Sequence, residues 1–310
     1  MIDVHRLKAW HFDEVVQRYD ADDVMRYALA LGLGGDPTDA RQLRFVSDAA
    51  APPLALPTLA VVLGFPGSWM RDAATGIDFA RIVHGEERVV WHRPLAPAGT
   101  VRARHRVTRV VDKGPGRGAV VTYDKTLHDA EDGDALLATV THTTFARGDG
   151  GFATAQAPGD PAPPAPAPLP EGAPHAAVDI PTLPQQALLY RLCGDRNPLH
   201  ADPATARAAG FERPILHGLC TWGMAGHALL AQCAGSDPTR LRSLSARFSA
   251  PVFPGETLRL ELFHDGAEVR FRVRAPSRDR VVLDHGHAVF ADPPKDRATR
   301  ERSDNNEETT

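Results

Sequence analysis

The chain is interrupted once, and the two sides of the interruption resemble each other. Over residues 156–174 the sequence QAPGDPAPPAPAPLPEGAP is almost wholly Ala, Pro and Gly, a composition that stays extended and builds no core of its own. Around it, Pro94, Pro97, Thr100, Val101 and Arg102 recur at a constant offset as Pro251, Pro254, Thr257, Leu258 and Arg259. A duplicated module accounts for this recurrence. It divides the chain into a first copy over 1–155, a linker over 156–174, a second copy over 175–292 and a charged tail over 293–310 that is expected to be disordered. After the shared turn each copy alternates apolar and polar residues with period two, over 100–111, 118–128 and 135–145 in the first and over 257–263, 268–275 and 280–290 in the second. Such alternation predicts antiparallel strands with one buried face, and with the helical stretches between them an α+β fold.

The densest chemistry lies in Gly194-Asp195-Arg196-Asn197-Pro198-Leu199-His200. Gly194 allows a backbone twist closed to other residues, and Pro198 fixes its own φ while pushing Asn197 out of the α region. On this stiff turn Asp195 can only accept hydrogen bonds when ionised, Asn197 donates and accepts, and neutral His200 offers one nitrogen of each kind. Taken singly, Asp195 and Asn197 are ordinary turn formers. Together with His200 they form a set able to grip one water. Asp202 reads as an N-cap, Pro203 as the first helical residue and Gly210 as the stop of a short helix that anchors the loop.

A second segment opens at Pro214-Ile215-Leu216-His217-Gly218 and runs to Cys233 with only Thr221, His227 and Gln232 clearly polar, before Gly235 ends it. A helix apolar nearly all round is a buried one, and this one is too short to span a bilayer. Gly218 falls in its first turn, where N–H groups lack intrahelical partners and the dipole is positive. Such an amide can hold a developing oxyanion, and a residue without a side chain lets a substrate approach closely.

Residues 190–223 are similar to the signature of the MaoC-like, R-specific enoyl-CoA hydratases, the hydratase 2 group. The likeness rests on GDRNPLH, the spaced AGF at 209–211 and PILHGLCTWG, three blocks that agree in order and spacing. Weaker blocks extend it over residues 10–290: Leu56-Pro57-Thr58, Val83-His84-Gly85, Asp112-Lys113-Gly114 and Gly150-Gly151-Phe152. The resemblance implies a double hotdog, two antiparallel sheets each wrapped on a central helix. It implies that Asp195 and His200 activate water with support from Asn197, and that Gly218 binds the thioester carbonyl. His84, Gly85, Lys113 and, in Ala246-Arg247-Phe248, Phe248 are implied to line the thioester or CoA site. The activity implied is addition of water to trans-2-enoyl-CoA, giving (3R)-3-hydroxyacyl-CoA, or the reverse. No metal or redox cofactor is implied, CoA being part of the substrate. A thioesterase, a hydratase acting on acyl carrier protein and a non-catalytic acyl-CoA binding module are the alternatives.

Setting Gly35-Asp36 against Gly194-Asp195 places Thr38 opposite Asn197 and Arg41 opposite His200. Chemistry is therefore expected in the second copy. In the first, the candidate helix over 57–63 soon meets Gly64, Pro66 and Gly67 and cannot run as far as its counterpart. The shortening is expected to leave an apolar tunnel for an acyl chain.

The remaining features narrow the class. With 310 residues, 43% of them hydrophobic, there is material for one large or two ordinary globular domains with real cores. A net charge of −4 leaves no basic footprint for nucleic acid. Three cysteines without a CxxC pair read as reduced thiols. The start MIDVHRLKAWHFDEVV lacks an apolar signal core and no apolar run approaches ~20 residues, so no membrane partner is expected. The ending lacks a peroxisomal tripeptide, which favours the cytoplasm, and a homodimer is expected. Despite fourteen histidines there is no HExxH and no zinc-spaced Cys/His pairing, and no GxSxG elbow. His285-Gly286-His287 is placed at an edge of the last strand. Gly114-Pro115-Gly116-Arg117-Gly118 is read as a hairpin rather than a phosphate loop.

Overall fold

The computed structural model describes residues 1–265 and 268–292. The expected disordered tail lies outside them. Ten strands are formed: β1 (Val15–Tyr19), β2 (Ile82–Trp91), β3 (Gly99–Asp112), β4 (Ala119–Asp129), β5 (Ala135–Ala146), β6 (Ala176–Pro181), β7 (Leu241–Phe248), β8 (Thr257–Asp265), β9 (Glu268–Ala275) and β10 (Arg280–Phe290). The helices are α1 (Val4–Lys8), α2 (Ala21–Ala30), α3 (Ala40–Val46), α4 (Gln186–Tyr190), α5 (Pro203–Ala208) and α6 (Gly218–Ala234). The strands make one antiparallel sheet in the order β1-β3-β4-β5-β2-β7-β10-β9-β8-β6.

That order is its own mirror image about the β2–β7 junction, as a duplication requires. The two expected sheets are thus halves of a double hotdog fused edge to edge, with Glu87 opposite Ala246 and Val89 opposite Leu244. Fusion removes two edges that would otherwise expose unpaired backbone groups. It also places β10 between β7 and β9, so His285-Gly286-His287 lies inside the sheet rather than at an edge. A β-bulge there, with His285 at φ 51°, breaks the regular register.

α6 occupies the centre. It begins at Gly218 and stops at Gly235, whose φ of 59° closes the helix in the left-handed region, where glycine carries no Cβ penalty. Trp222, Leu229 and Leu230 are fully buried. In the first half the corresponding segment is not an α-helix but a single 3-10 turn, Pro57–Val61. Gly64, three residues past its end, adopts φ 63° in a place where a Cβ would stand 2.3 Å from that of Ala103. The turn instead leans on α6, where Gly226 leaves room for Thr58.

The linker carries no strand or helix, yet it is not loose throughout. Asp160 takes the backbone N–H of Val110 at 2.8 Å and the Lys8 ammonium at 2.6 Å. Among the described residues no helix is long and apolar enough to cross a membrane.

Candidate active site

The loop before α5 is built as a nested set of caps. Gly194 adopts φ 128°, the Asp195 Oδ1 accepts the Asn197 N–H at 3.0 Å, and the Asn197 Oδ1 accepts the Leu199 N–H at 3.1 Å. The turn-forming role and the chemical role of these residues therefore coexist, because each side chain uses one oxygen for the turn. Asp202 caps α5 through the N–H groups of Ala204 and Thr205, which fixes the downstream end.

His200 is 9% exposed, and its Nδ1 lies 2.9 Å from the Ile215 carbonyl oxygen. A carbonyl can only accept, so Nδ1 carries the proton and Nε2 is left as the basic nitrogen. Burial lowers the His200 pKa, which keeps that nitrogen unprotonated at neutral pH.

His217, a residue to which no role is assigned from sequence, completes the group. Its ring stacks on His200 with centroids 3.8 Å apart, and its Nε2 donates to the main-chain oxygen of Asp195 at 3.3 Å. It thereby holds both the imidazole plane and the loop. Tyr190 backs it at 5.0 Å. Burial, with His200 beside it, holds the His217 pKa down to about 3. The available signal was the His217-Gly218 doublet at the entrance to an apolar helix. Side-chain oxygen of Asp195 and ring nitrogens of His200 and His217 all lie within 4.8 Å of one another, close enough to share one water.

Gly218 follows His217 as the first residue of α6, and among the described residues its N–H donates to nothing. Phe248 packs on this glycine, its ring 3.0 Å from where a Cβ would be. His84 in turn lies against Phe248 with centroids 4.5 Å apart. Gly85 sits in a register shift of β2 between His84 and Glu86, where a Cβ would stand 3.2 Å from the Thr143 carbonyl oxygen. The structure thus brings His84, Gly85 and Phe248 to the Gly218 end of α6. Lys113 stands apart: it is exposed on the β3–β4 hairpin, its Nζ 4.9 Å from the Phe145 ring centre. What joins its block to Gly150-Gly151-Phe152 is Asp112, whose carboxylate takes the N–H groups of Gly114, Gly151 and Ala153.

The space beside the short 3-10 turn is not the plain apolar tunnel expected from sequence. Lys125 is buried there and its ammonium donates to the carbonyls of Ala60, Val61 and Leu63 at 2.7–3.0 Å. A run of rings then leads away from Phe248 through His84, His142 and Tyr123 to Phe12 and Trp69, in steps of 4.5–6.4 Å. Polar residues at inward positions of an otherwise apolar alternation, as in Val121-Tyr123-Lys125-Leu127, were the visible sign.

A double hotdog that gathers Asp195, His200 and His217 just ahead of the first turn of its central helix defines the class. Comparison with known proteins gives the family. Residues 17–148 match the MFE-2 hydratase 2 N-terminal domain and residues 166–283 the MaoC like domain. Enoyl-CoA hydratase ChsH3 of Mycobacterium tuberculosis is 41% identical over 278 residues, covering 86% of this chain and 90% of that one. The peroxisomal enoyl-CoA hydratase 2 of Arabidopsis thaliana is 35% identical over 287 residues, covering 89% and 92%. A MaoC-like dehydratase from Phytophthora capsici superimposes with a TM-score of 0.82 at 32% identity, over 94% of this chain and 100% of that one. The chain belongs to the MaoC-like, hydratase 2 family.

Proposed function

We propose that the protein is a hydro-lyase that adds water to trans-2-enoyl-CoA to give (3R)-3-hydroxyacyl-CoA, and catalyses the reverse elimination. The observation that supports this reading is that side-chain atoms of Asp195, His200 and His217 lie within 4.8 Å of one another, and that Gly218, next to His217 at the start of α6, has an unengaged N–H among the described residues. Gly218 N–H polarises the thioester carbonyl, so the β-carbon becomes electrophilic and charge builds on oxygen as the enolate forms. The Nε2 of His200 takes a proton from water as its oxygen bonds to the β-carbon. Asp195, through the oxygen not used by the turn, orients the water, and the pair hands a proton to the α-carbon on the same face. One proton leaves water and one reaches carbon, so the pair ends as it began. Asn197 keeps the Asp195 turn in shape.

No resident cofactor enters this scheme: acid, base and oxyanion donor are all supplied by the chain, and CoA arrives with the substrate. His84, Gly85 and Phe248 line the thioester, Lys113 meets the outer, phosphate-bearing part of CoA as a point charge, and the first half receives the acyl chain along its run of rings. We place the protein in the cytoplasm, in fatty-acid metabolism, as a homodimer. Exposed Leu29, Leu188 and Leu192 on α2, α4 and the turn after α4 offer a second copy an apolar face, which light scattering of the purified protein tests.

The test of the activity is loss of enoyl-thioester absorbance with crotonyl-CoA, followed by chiral analysis of the product. Formation of the (3R) alcohol without free CoA thiol is expected. Release of thiol instead would make the protein a thioesterase.

A further inference from the structure

Nothing in the scheme above accounts for a carboxylate buried in the first half. Glu87 has no exposed surface, and the offset that carries Pro94 to Pro251 carries Glu87 to Leu244, a core residue. Burying a carboxylate where a leucine fits is unfavourable unless the charge is satisfied by hydrogen bonds. Its Oε2 lies 2.9 Å from His84 Nε2 and 2.7 Å from His142 Nδ1. Because an ionised carboxylate only accepts, each imidazole must carry its proton on the nitrogen facing Glu87.

For His84 this choice leaves Nδ1 as a bare acceptor. The side chain is 30% exposed, and Nδ1 has no partner among the described residues. Its ring is held against Phe248, which covers Gly218, so the bare nitrogen belongs to the thioester end of the site. Behind Glu87, His142 is clamped by Tyr123, stacked at 4.8 Å. The three donor atoms of His84, Glu87 and His142 lie within 4.8 Å of one another and invite a metal reading. Against it, the buried Lys125 ammonium is close enough to act electrostatically on the same carboxylate, and a second cation would be repelled.

We propose that Glu87 and His142 are positioning residues that lock His84 in its Nε2–H tautomer, so that Nδ1 accepts a hydrogen bond from an amide N–H of the pantetheine arm next to the thioester. The proposal rests on the enoyl-CoA reading for the identity of the ligand. Burial would raise the Glu87 pKa, but His142 and His84 overcome it and hold it at about 2, which keeps the acceptor charged throughout the working pH range.

The test combines imidazole ¹⁵N NMR with binding and kinetics on wild type, Glu87→Gln, His142→Gln and His84→Ala. In the wild type, His84 is expected to be protonated at Nε2 alone, and Glu87→Gln to release a mixture of tautomers. Glu87→Gln should raise KM for crotonyl-CoA, and Kd for unreactive butanoyl-CoA, roughly 5- to 20-fold, with a smaller fall in kcat. Adding it to His84→Ala should change neither constant further. His142→Gln should give a weaker version of the same pattern and serves if Glu87→Gln does not fold. An Nδ1–H tautomer in the wild type, or effects of Glu87→Gln that persist undiminished without His84, would overturn the proposal. Absence of turnover would sink the hydratase reading alone, since tautomer and butanoyl-CoA affinity still decide this one.

Discussion

The two halves share a backbone and differ in what they do with it. Asp36 in the first half accepts the Thr38 N–H at 2.8 Å, just as Asp195 in the second accepts the Asn197 N–H at 3.0 Å, and Asp39 and Asp202 each cap the helix that follows. The turn survives in both halves. Only the second adds an imidazole, His200, and a stacked neighbour, His217, at the end of a long buried helix.

Inside the sheet the contrast is reversed. His105 faces Lys125 in the first half, while the repeat-related pair in the second is Leu262 and Phe271. Likewise Glu87 with His142 stands where the second half has Leu244 with Ala288. The helix explains the first substitution. α6 runs 17 residues and satisfies its own backbone, whereas the five-residue turn Pro57–Val61 leaves carbonyls unpaired. Lys125 reaches two of them, on Ala60 and Val61, and the carbonyl of Leu63 just beyond, with its three N–H donors. Burial pulls the Lys125 pKa down to about 8, which still leaves the ammonium the main form at neutral pH. A shortened helix thus goes with a cation in the sheet beneath it, and the half whose loop carries no imidazole is the one with the polar interior.

The strongest way to break this comparison is to mutate the two turns in parallel. His200→Ala should lower kcat/KM for crotonyl-CoA by about 10² to 10⁴, and Arg41→Ala, its counterpart in the first half, should leave it within about twofold. Equal effects would show that the halves are not divided as described. Next in size, Lys125→Met should lower unfolding free energy by about 3 kcal/mol in urea titration, because three buried carbonyls lose their donor. A change below about 1 kcal/mol would mean that water replaces the ammonium freely. Gly226→Ala drives a Cβ to 2.7 Å from Thr58 and 3.1 Å from Leu244. It should cost about 2 kcal/mol, sharpening the claim that α6 serves both halves. Smaller effects follow from pH. Since the His200 pKa is lowered, kcat/KM should stay level through neutrality and decline only below the ordinary histidine range, with a midpoint under 6.5. The folded Glu87 titrates near 2 against an ordinary 4.5. Its contribution to stability is therefore full above about pH 4.5 and lost as pH falls towards 2. Glu87→Leu should remove that slope.

Much of the architecture was legible because alternation and punctuation are local. The strands expected over 268–275 and 280–290 match β9 and β10 residue for residue, and the helix from Gly218 to Gly235 starts and stops where its glycines indicated. The strands β2 and β7 were harder to see. β2 places Glu87 on its buried face and β7 is interrupted by small residues, so neither shows clean period-two hydrophobicity. The turn carrying Asp195, Asn197 and His200 could be read because all three lie within six positions. His217 could not be given a role because Asp195 and His200 lie some way off in the chain, and Glu87 could not because His142, across the sheet, completes the set that His84 begins.

The sequence by itself determined the duplication, the rigid acid/base turn and the buried helix that begins at a glycine, because each depends on φ restriction, capping and periodicity among near neighbours. Only the tertiary structure decided how the halves fuse through β2 and β7, which nitrogen of His200 is free, and that a lysine and a glutamate lie under the degenerate half. Those outcomes depend on the register between strands and on which carbonyl or carboxylate stands opposite each donor, and register is a property of the assembled sheet.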